Sequence, residues 1–361
     1  MKILIAPDSF KGSASATQVA AALAEGWRSV RADDNLVTLP QADGGEGTLE
    51  AIAGSANWQW RQTQVCGPHG RPVSARWLLH DDGRAVAELA ESSGIALMPR
   101  LDPWGATSRG LGEVIAAALA AGATSVQVGL GGSASTDGGA GLLMALGLEA
   151  FDARGNPIGD GARGLAEMKH IDPVGLPPLP RDGVEILVDT EAPLYGPRGA
   201  AAVFGPQKGA TAEDISSLDE GLRRWARLLA EAGFAADPEQ PGAGAAGGAG
   251  FGLLAWGAQA VSGSQRIGAL TGLHEQLSAA DVVVTGEGRF DDTSLGGKLV
   301  GHVLSAARGA DVAAVVVAGQ IATTAAVATV SLTELAGTTE AAIGDPLRWL
   351  RAAGAVAAQR V

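Results

Sequence analysis

The stretch Lys2 to Trp27, KILIAPDSFKGSASATQVAAALAEGW, opens on an apolar run, breaks at Pro7-Asp8 and resumes with apolar residues at helical spacing. Lys2 to Pro7 reads as a short strand that ends in a loop. Ser15 and Gln18 have the spacing of a capping box, in which the hydroxyl accepts from a backbone N–H three residues on and the carboxamide reaches back. The helix behind them carries Val19, Leu23 and Trp27 on one face. The chain therefore begins with a β-loop-α unit, and its Pro7–Ser13 loop stands where open parallel sheets bind ligands, at a strand's carboxyl end.

Working outward, Leu36–Leu39 reads as a second strand, followed by the loop Gln41–Gly47 and a helix from about Thr48. Near the other terminus, Asp281–Thr285 and Val312–Ala318 read as strands around the helical stretch Lys298–Arg308. A further short strand follows near Val327–Val330, and Asp345-Pro346 starts a last helix with Leu347 and Leu350. The middle differs in texture. From Trp58 to Glu91 the pattern alternates, with turns at Gly67-Pro68 and Asp82-Gly83, which predicts antiparallel strands. Helices are predicted from about Arg109 to Ala121 and after the cap Thr211, while Pro173–Pro180 and the Gly/Ala tract Pro241–Gly250 read as connections. The economical architecture is an α/β domain built from both chain ends, residues 1–60 and 266–361, with a mixed α/β domain, residues 61–265, inserted between them. The natural site is a cleft between the two.

Composition narrows the function. A formal charge of −13 argues against nucleic acid or an anionic membrane as partner, because the long-range field would repel both. A single cysteine, Cys66, excludes an internal disulfide and a Cys-based zinc site, and the five histidines show no i,i+4 pair. A bound metal is then expected to be a hard cation on oxygens. MKILIAPD is too short an apolar run for a signal-peptide core, so a cytoplasmic location is expected. Val312–Thr333 has the length of a membrane span and no charge, but its alanines, threonines and Gln320 fit buried strands better.

Five loops could carry chemistry. The densest is Gly129–Gly141, GLGGSASTDGGAG, which follows the β-branched segment Ser125–Val128 and precedes a helical stretch, Ala140–Gly147. Glycines interleaved with Ser133, Ser135 and Thr136 let N–H groups and hydroxyls converge on a phosphate. The others are Pro7–Ser13 with Asp8, Ser9 and Lys11, Gln41–Thr48 with Asp43 and Glu46, Leu187–Gly196 with Asp189 and Glu191, and Thr285–Lys298 with Glu287, Arg289, Asp291 and Lys298. The only lysines are Lys2, Lys11, Lys169, Lys208 and Lys298, and three of them, Lys11, Lys208 and Lys298, lie in Gly-containing loops. A compact ammonium can follow a migrating phosphoryl group as a point charge. There is no Walker A motif. Gly129, Gly131 and Ala134 satisfy G-x-G-x-x-A with Asp152 further on, which keeps an NAD(P)-dependent oxidoreductase of a small hydroxy acid in view. That fingerprint belongs in an opening βαβ unit, however, and here it falls mid-chain. A non-catalytic hydroxy-acid binding protein is the other alternative.

Taken together the loops resemble the bacterial glycerate kinase family, through APDSFKG at Ala6–Gly12, ADGGEGT at Ala42–Thr48, GGSASTDGGAG at Gly131–Gly141, FGPQKGA at Phe204–Ala210, PGAGAAGG at Pro241–Gly248 and TGEGR at Thr285–Arg289. The order is the family's, and the motifs span nearly the whole chain. Departures are Thr136 and Ala192, where the family often has Asn, and Phe290 and Asp292 after TGEGR.

The resemblance implies a flavodoxin-like domain interrupted by an inserted α/β domain, and ATP- and Mg²⁺-dependent phosphorylation of D-glycerate, with the 2-phosphoglycerate product favoured over 3-phosphoglycerate. The partners expected are this substrate and the nucleotide, with a homodimer left open. On this reading Lys11 and Asp189 are the catalytic residues, and Asp8, Ser9, Asp43, Glu46, Arg289 and Asp291 bind substrate. The nucleotide is expected on Gly131, Gly132, Ser133, Ser135, Thr136, Asp137, Gly138, Gly139 and Lys298, with the metal on Asp189 and Asp291.

Overall fold

The computed structural model describes residues 1–295, 298–324 and 326–361. In chain order its strands are β1 (Lys2–Ile5), β2 (Asn35–Thr38), β3 (Trp58–Cys66), β4 (Pro72–His80), β5 (Arg84–Glu88), β6 (Ser125–Gly129), β7 (Glu149–Phe151), β8 (His170–Asp172), β9 (Val184–Leu187), β10 (Gln259–Val261), β11 (Val282–Phe290), β12 (Ala313–Ile321) and β13 (Ala328–Ser331). The fold is α/β with mostly parallel pairing. Two compact units divide the chain: Met1–Asp43, Glu50–Ala56 and Gly263–Val361 form the first, and Gly44–Leu49 with Asn57–Ser262 the second.

The first unit's sheet runs β2-β1-β11-β12-β13, every pair parallel. Its central strands are apolar because helices cover both faces: Ile3, Leu4, Ile5, Val282 and Val283 are fully buried. Helix Ala16–Arg28 begins at the Ser15–Gln18 capping box and buries Val19, Leu23 and Trp27 in the core that also receives Leu350, Ala353 and Ala357 of helix Pro346–Gln359. Chain order reverses across the sheet between β1 and β11, the crevice where doubly wound sheets bind ligands.

The second unit's sheet runs β3-β4-β5-β6-β9-β10. β3, β4 and β5 pair antiparallel, and the remaining pairs are parallel. β7 and β8 form a separate antiparallel pair. Trp225 on the long helix Ala212–Glu231 is fully buried and donates its indole N–H to the carbonyl of Gly138 at 2.9 Å.

Two sequence expectations need correction. Thr285–Arg289, read as loop, is strand: β11 stays paired with β12 through Arg289↔Gln320 and Phe290↔Ile321. The reason is Gly286, where a β-carbon would stand 1.9 Å from the carbonyl oxygen of Val317, so only glycine lets the ladder continue. The Gly/Ala tract read as a connection turns into helix Ala245–Trp256, entered through left-handed backbone at Ala246, Gly247 and Gly248. Among the described residues no helix is long and apolar enough to cross a membrane. Gly296-Gly297, ahead of Lys298, lie outside the described residues.

Candidate active site

A cavity of about 460 Å³ opens at the carboxyl ends of the first unit's strands, and every residue lining it belongs to that unit. After β1 the chain is pinned to its neighbour, with the Asp8 N–H donating to the Gly286 carbonyl at 2.8 Å. It then folds into a tight loop in which Phe10 and Ala14 exchange backbone hydrogen bonds and Gly12 takes left-handed backbone. Phe10 is buried as the anchor, so Lys11 projects outward, its side chain 74% exposed and its Nζ 3.3 Å from Asp43 Oδ2.

Asp8 is the electrostatic centre of this cavity. Burial, and then the charge of Asp43, push its carboxyl up to about 7, against the opposing pull of the Ser9 N–H and Lys11. A carboxyl in that range exists in both forms near neutral pH and can take or return a proton. Glu287, on β11, is also raised by burial, and its Oε1 is buried with no hydrogen-bond partner among the described residues. Arg289 and Lys298 complete the lining on the cationic side.

The structure thus brings Asp8, Ser9, Lys11, Asp43, Arg289 and Lys298 to one cavity. Asp291 is not among its lining residues. Its Oδ1 accepts from the N–H and hydroxyl of Thr293 at 3.0 and 2.7 Å, which holds it below the usual carboxylate range and makes it a helix cap. Asp189 belongs to the second unit, exposed beyond the end of β9, where it accepts from the Ser262 hydroxyl at 3.1 Å. The two expected metal ligands therefore come from different units. Among the described residues no group of three or more His, Cys, Asp or Glu could hold a metal ion.

The Gly-rich loop also belongs to the second unit, and most of it points inward. Ser135, Thr136 and Asp137 are fully buried. Asp137 accepts from the N–H and hydroxyl of Ser108, both at 2.8 Å, and from the Gly139 N–H at 3.2 Å. The Gly138 N–H donates to Gly247, and Lys208, itself buried, donates to the Ser135 carbonyl and lies 3.5 Å from Ser133 Oγ. Asp137 and the Gly138 N–H are thus engaged by other protein groups, while Ser135 Oγ and Thr136 Oγ1 are buried with no hydrogen-bond partner among the described residues. Gly131 and Gly132 pack against Gly45 and Glu46 so closely that a β-carbon would stand 2.4 and 2.3 Å from them. The N–H groups of Gly47 and Leu49 in turn donate to the buried Glu88 carboxylate at 3.1 and 3.2 Å. Asp152, the ribose ligand of the dinucleotide alternative, spends Oδ1 on the N–H groups of Arg154 and Asn156 in its own turn.

Sequence reasoning named Glu287 in its loop but gave it no role, and missed Glu88, Gln320, Thr333 and Thr339. Nothing local marks a glutamate or a glutamine near the end of a strand, since only segments distant in the chain give them partners.

A parallel sheet with a charged cavity at its chain reversal is the arrangement in which α/β proteins bind small ligands, and the comparisons make this specific. The model of the glycerate kinase family matches residues 3–361. A glycerate 2-kinase of Escherichia coli is 44% identical over 304 residues, covering 83% of this chain and 80% of the relative. A glycerate kinase of Bacillus subtilis is 42% identical over 326 residues, covering 89% and 85%. The crystal structure of a candidate glycerate kinase 2 from Salmonella typhimurium LT2 superposes with a TM-score of 0.83 at 38% identity, covering 100% of this chain and 98% of that one. The chain belongs to the glycerate kinase family and is an enzyme of that class, a phosphotransferase with an alcohol acceptor.

Proposed function

We propose that this protein transfers the terminal phosphoryl group of ATP to D-glycerate in the first unit's cavity, with the 2-hydroxyl as acceptor, and that this unit is flavodoxin-like with the second inserted in it. The observation that carries the reading is the pairing of a buried carboxyl poised near neutrality, Asp8, with cations at the strand reversal. The E. coli relative's description as a 2-kinase supports the choice of hydroxyl.

In this mechanism Asp8 accepts the hydroxyl proton of glycerate while the hydroxyl oxygen bonds to the terminal phosphorus and the bond to the ADP oxygen breaks. Lys11, exposed and paired with Asp43, follows the charge on the transferring group, and Arg289 and Lys298 hold its oxygens. Lys11 thus keeps the catalytic role read from the sequence, and Asp8 takes the role that Asp189 was expected to share. The residues fit a Mg²⁺ carried in with the nucleotide: Glu287, which lines the cavity, has an Oε1 with no hydrogen-bond partner among the described residues, and such a cation needs only one or two protein carboxylates. When bound it neutralises phosphate charge.

The test is purified protein with MgATP and D-glycerate, the product being identified by NMR. ADP and 2-phosphoglycerate should form together, and EDTA should abolish both. A 3-phosphoglycerate product would correct the regiochemistry, and no product with any nucleoside triphosphate would overturn the reading.

A further inference from the structure

Two cations line the cavity from either side of one turn. Arg289 stands near the end of β11 and Lys298 ahead of helix Leu299–Gly309, while Asp291 and Thr293, between them in the chain, are not lining residues. Asp291 is nevertheless connected to both cations. Its Oδ2 accepts from Arg289 Nε at 3.3 Å. Its Oδ1 accepts the hydroxyl proton of Thr293 at 2.7 Å, and Thr293 Oγ1 in turn accepts from Lys298 Nζ at 2.9 Å.

The direction of this relay is fixed at both ends. An ammonium only donates and a carboxylate only accepts, so the single hydroxyl proton of Thr293 turns to Asp291 and a lone pair turns to Lys298. Ser294, buried beside them, braces the turn: its Oγ accepts from the Asp291 N–H at 3.1 Å and donates to the Arg289 carbonyl at 3.4 Å. Holding Arg289 by Nε leaves the edge formed by its two terminal nitrogens for a bidentate grip on an oxyanion, and Thr293 takes one of the three Lys298 protons. Stability is not what these contacts contribute, because the Arg289 side chain is 63% exposed and an exposed ion pair adds little. They restrict motion instead. A long cationic side chain that is loose before binding loses rotamer entropy when it closes on an anion, and a tethered one loses less.

Resting on the phosphorylation reading above, we propose that Asp291 and Thr293 are positioning residues for the two cations. Thr293 sets the Lys298 ammonium, and Asp291 sets both that ammonium, through Thr293, and the Arg289 guanidinium. Neither touches a substrate. Their work is done before binding, so that both cations meet the oxygens of the transferring group already in place.

Calorimetric binding of MgATP and steady-state kinetics, both on the full chain, test this. Thr293→Val removes the hydroxyl but keeps the N–H contact to Asp291, and Thr293→Ser keeps the hydroxyl as well. Thr293→Val should weaken MgATP binding and lower kcat/KM for ATP about fivefold, with the KM for D-glycerate and the Tm unchanged, and Thr293→Ser should match the unmodified protein. Asp291→Asn loosens both cations and should cost about twentyfold. In a Lys298→Met background Thr293→Val should add less than about twofold, because its effect passes through the ammonium. The same loss with and without that ammonium, a Thr293→Ser protein as impaired as Thr293→Val, or unaltered MgATP binding in both Thr293→Val and Asp291→Asn would overturn the positioning role. Assay of phosphoglycerate separates this failure from failure of the phosphorylation reading. An unmodified protein that forms product while its variants match it refutes the positioning alone. One that forms no product, yet whose MgATP binding responds to the substitutions as stated, retains the positioning and loses the reaction, and one that neither binds MgATP nor forms product overturns both.

Discussion

At the scale of residues, Asp8 and Lys11 share the loop after β1, one buried and one exposed, and substitution should treat them differently. Lys11 contributes little to packing, so Lys11→Ala should leave the Tm unchanged and lower turnover about a hundredfold, the usual cost of one preorganised charge contact. An unchanged rate would return Lys11 to a solvated surface role. Asp8 is held above its ordinary value in the folded chain. The stability linked to it is therefore present below about pH 4 and is lost as the pH rises through about 7, where a buried charge must be kept. Asp8→Asn retains the shape and the Ser9 N–H contact but removes that charge. At pH 8 its Tm should equal or exceed that of the parent, while turnover falls at least about a hundredfold. A lowered Tm with near-normal turnover would make Asp8 a structural group.

At the scale of elements, the site depends on β11 running past its expected end. Gly286 lets β12 approach, and the continued register sets Glu287 opposite Ala318 and Arg289 opposite Gln320. Gly286→Val places a side chain against the Val317 carbonyl, so the Tm should drop and turnover per folded molecule should fall about tenfold or more as the two strands part. A parent-like melting curve would show that the strands accommodate a side chain there. Elements whose signals are local were legible in the sequence: the Ser15–Gln18 box, the Thr211 cap and Asp345 ahead of Pro346 all hold the helices they announced. The loop-to-strand change at Thr285–Arg289 was not, because glycine's meaning there lies in the neighbouring strand's carbonyl rather than in its own sequence.

At the scale of the whole molecule, Lys208 links folding to pH. Burial lowers its ammonium to about 7 against an ordinary 10.5, only partly offset by Asp137. Between those values the unfolded chain binds a proton that the folded chain does not, so stability should rise with pH from about 7 to about 10. Thermal melts across that window should show the rise, and Lys208→Met should flatten it. A Tm that falls with pH in both proteins would mean that Lys208 is charged in the fold. The sequence by itself determined the family through six ordered motifs, the βα character of both ends and the antiparallel texture of residues 58–91, because turn, cap and periodicity signals act within a few residues. Only the tertiary structure decided which motifs face a ligand. Asp137 and Asp8 look alike in sequence, each a carboxylate in a small-residue loop. One is spent on Ser108 and Gly139 inside the second unit, while the other lines the first unit's cavity. A residue's type states what its side chain can bond, but burial and the partners supplied by distant segments determine whether that capacity is left for a substrate.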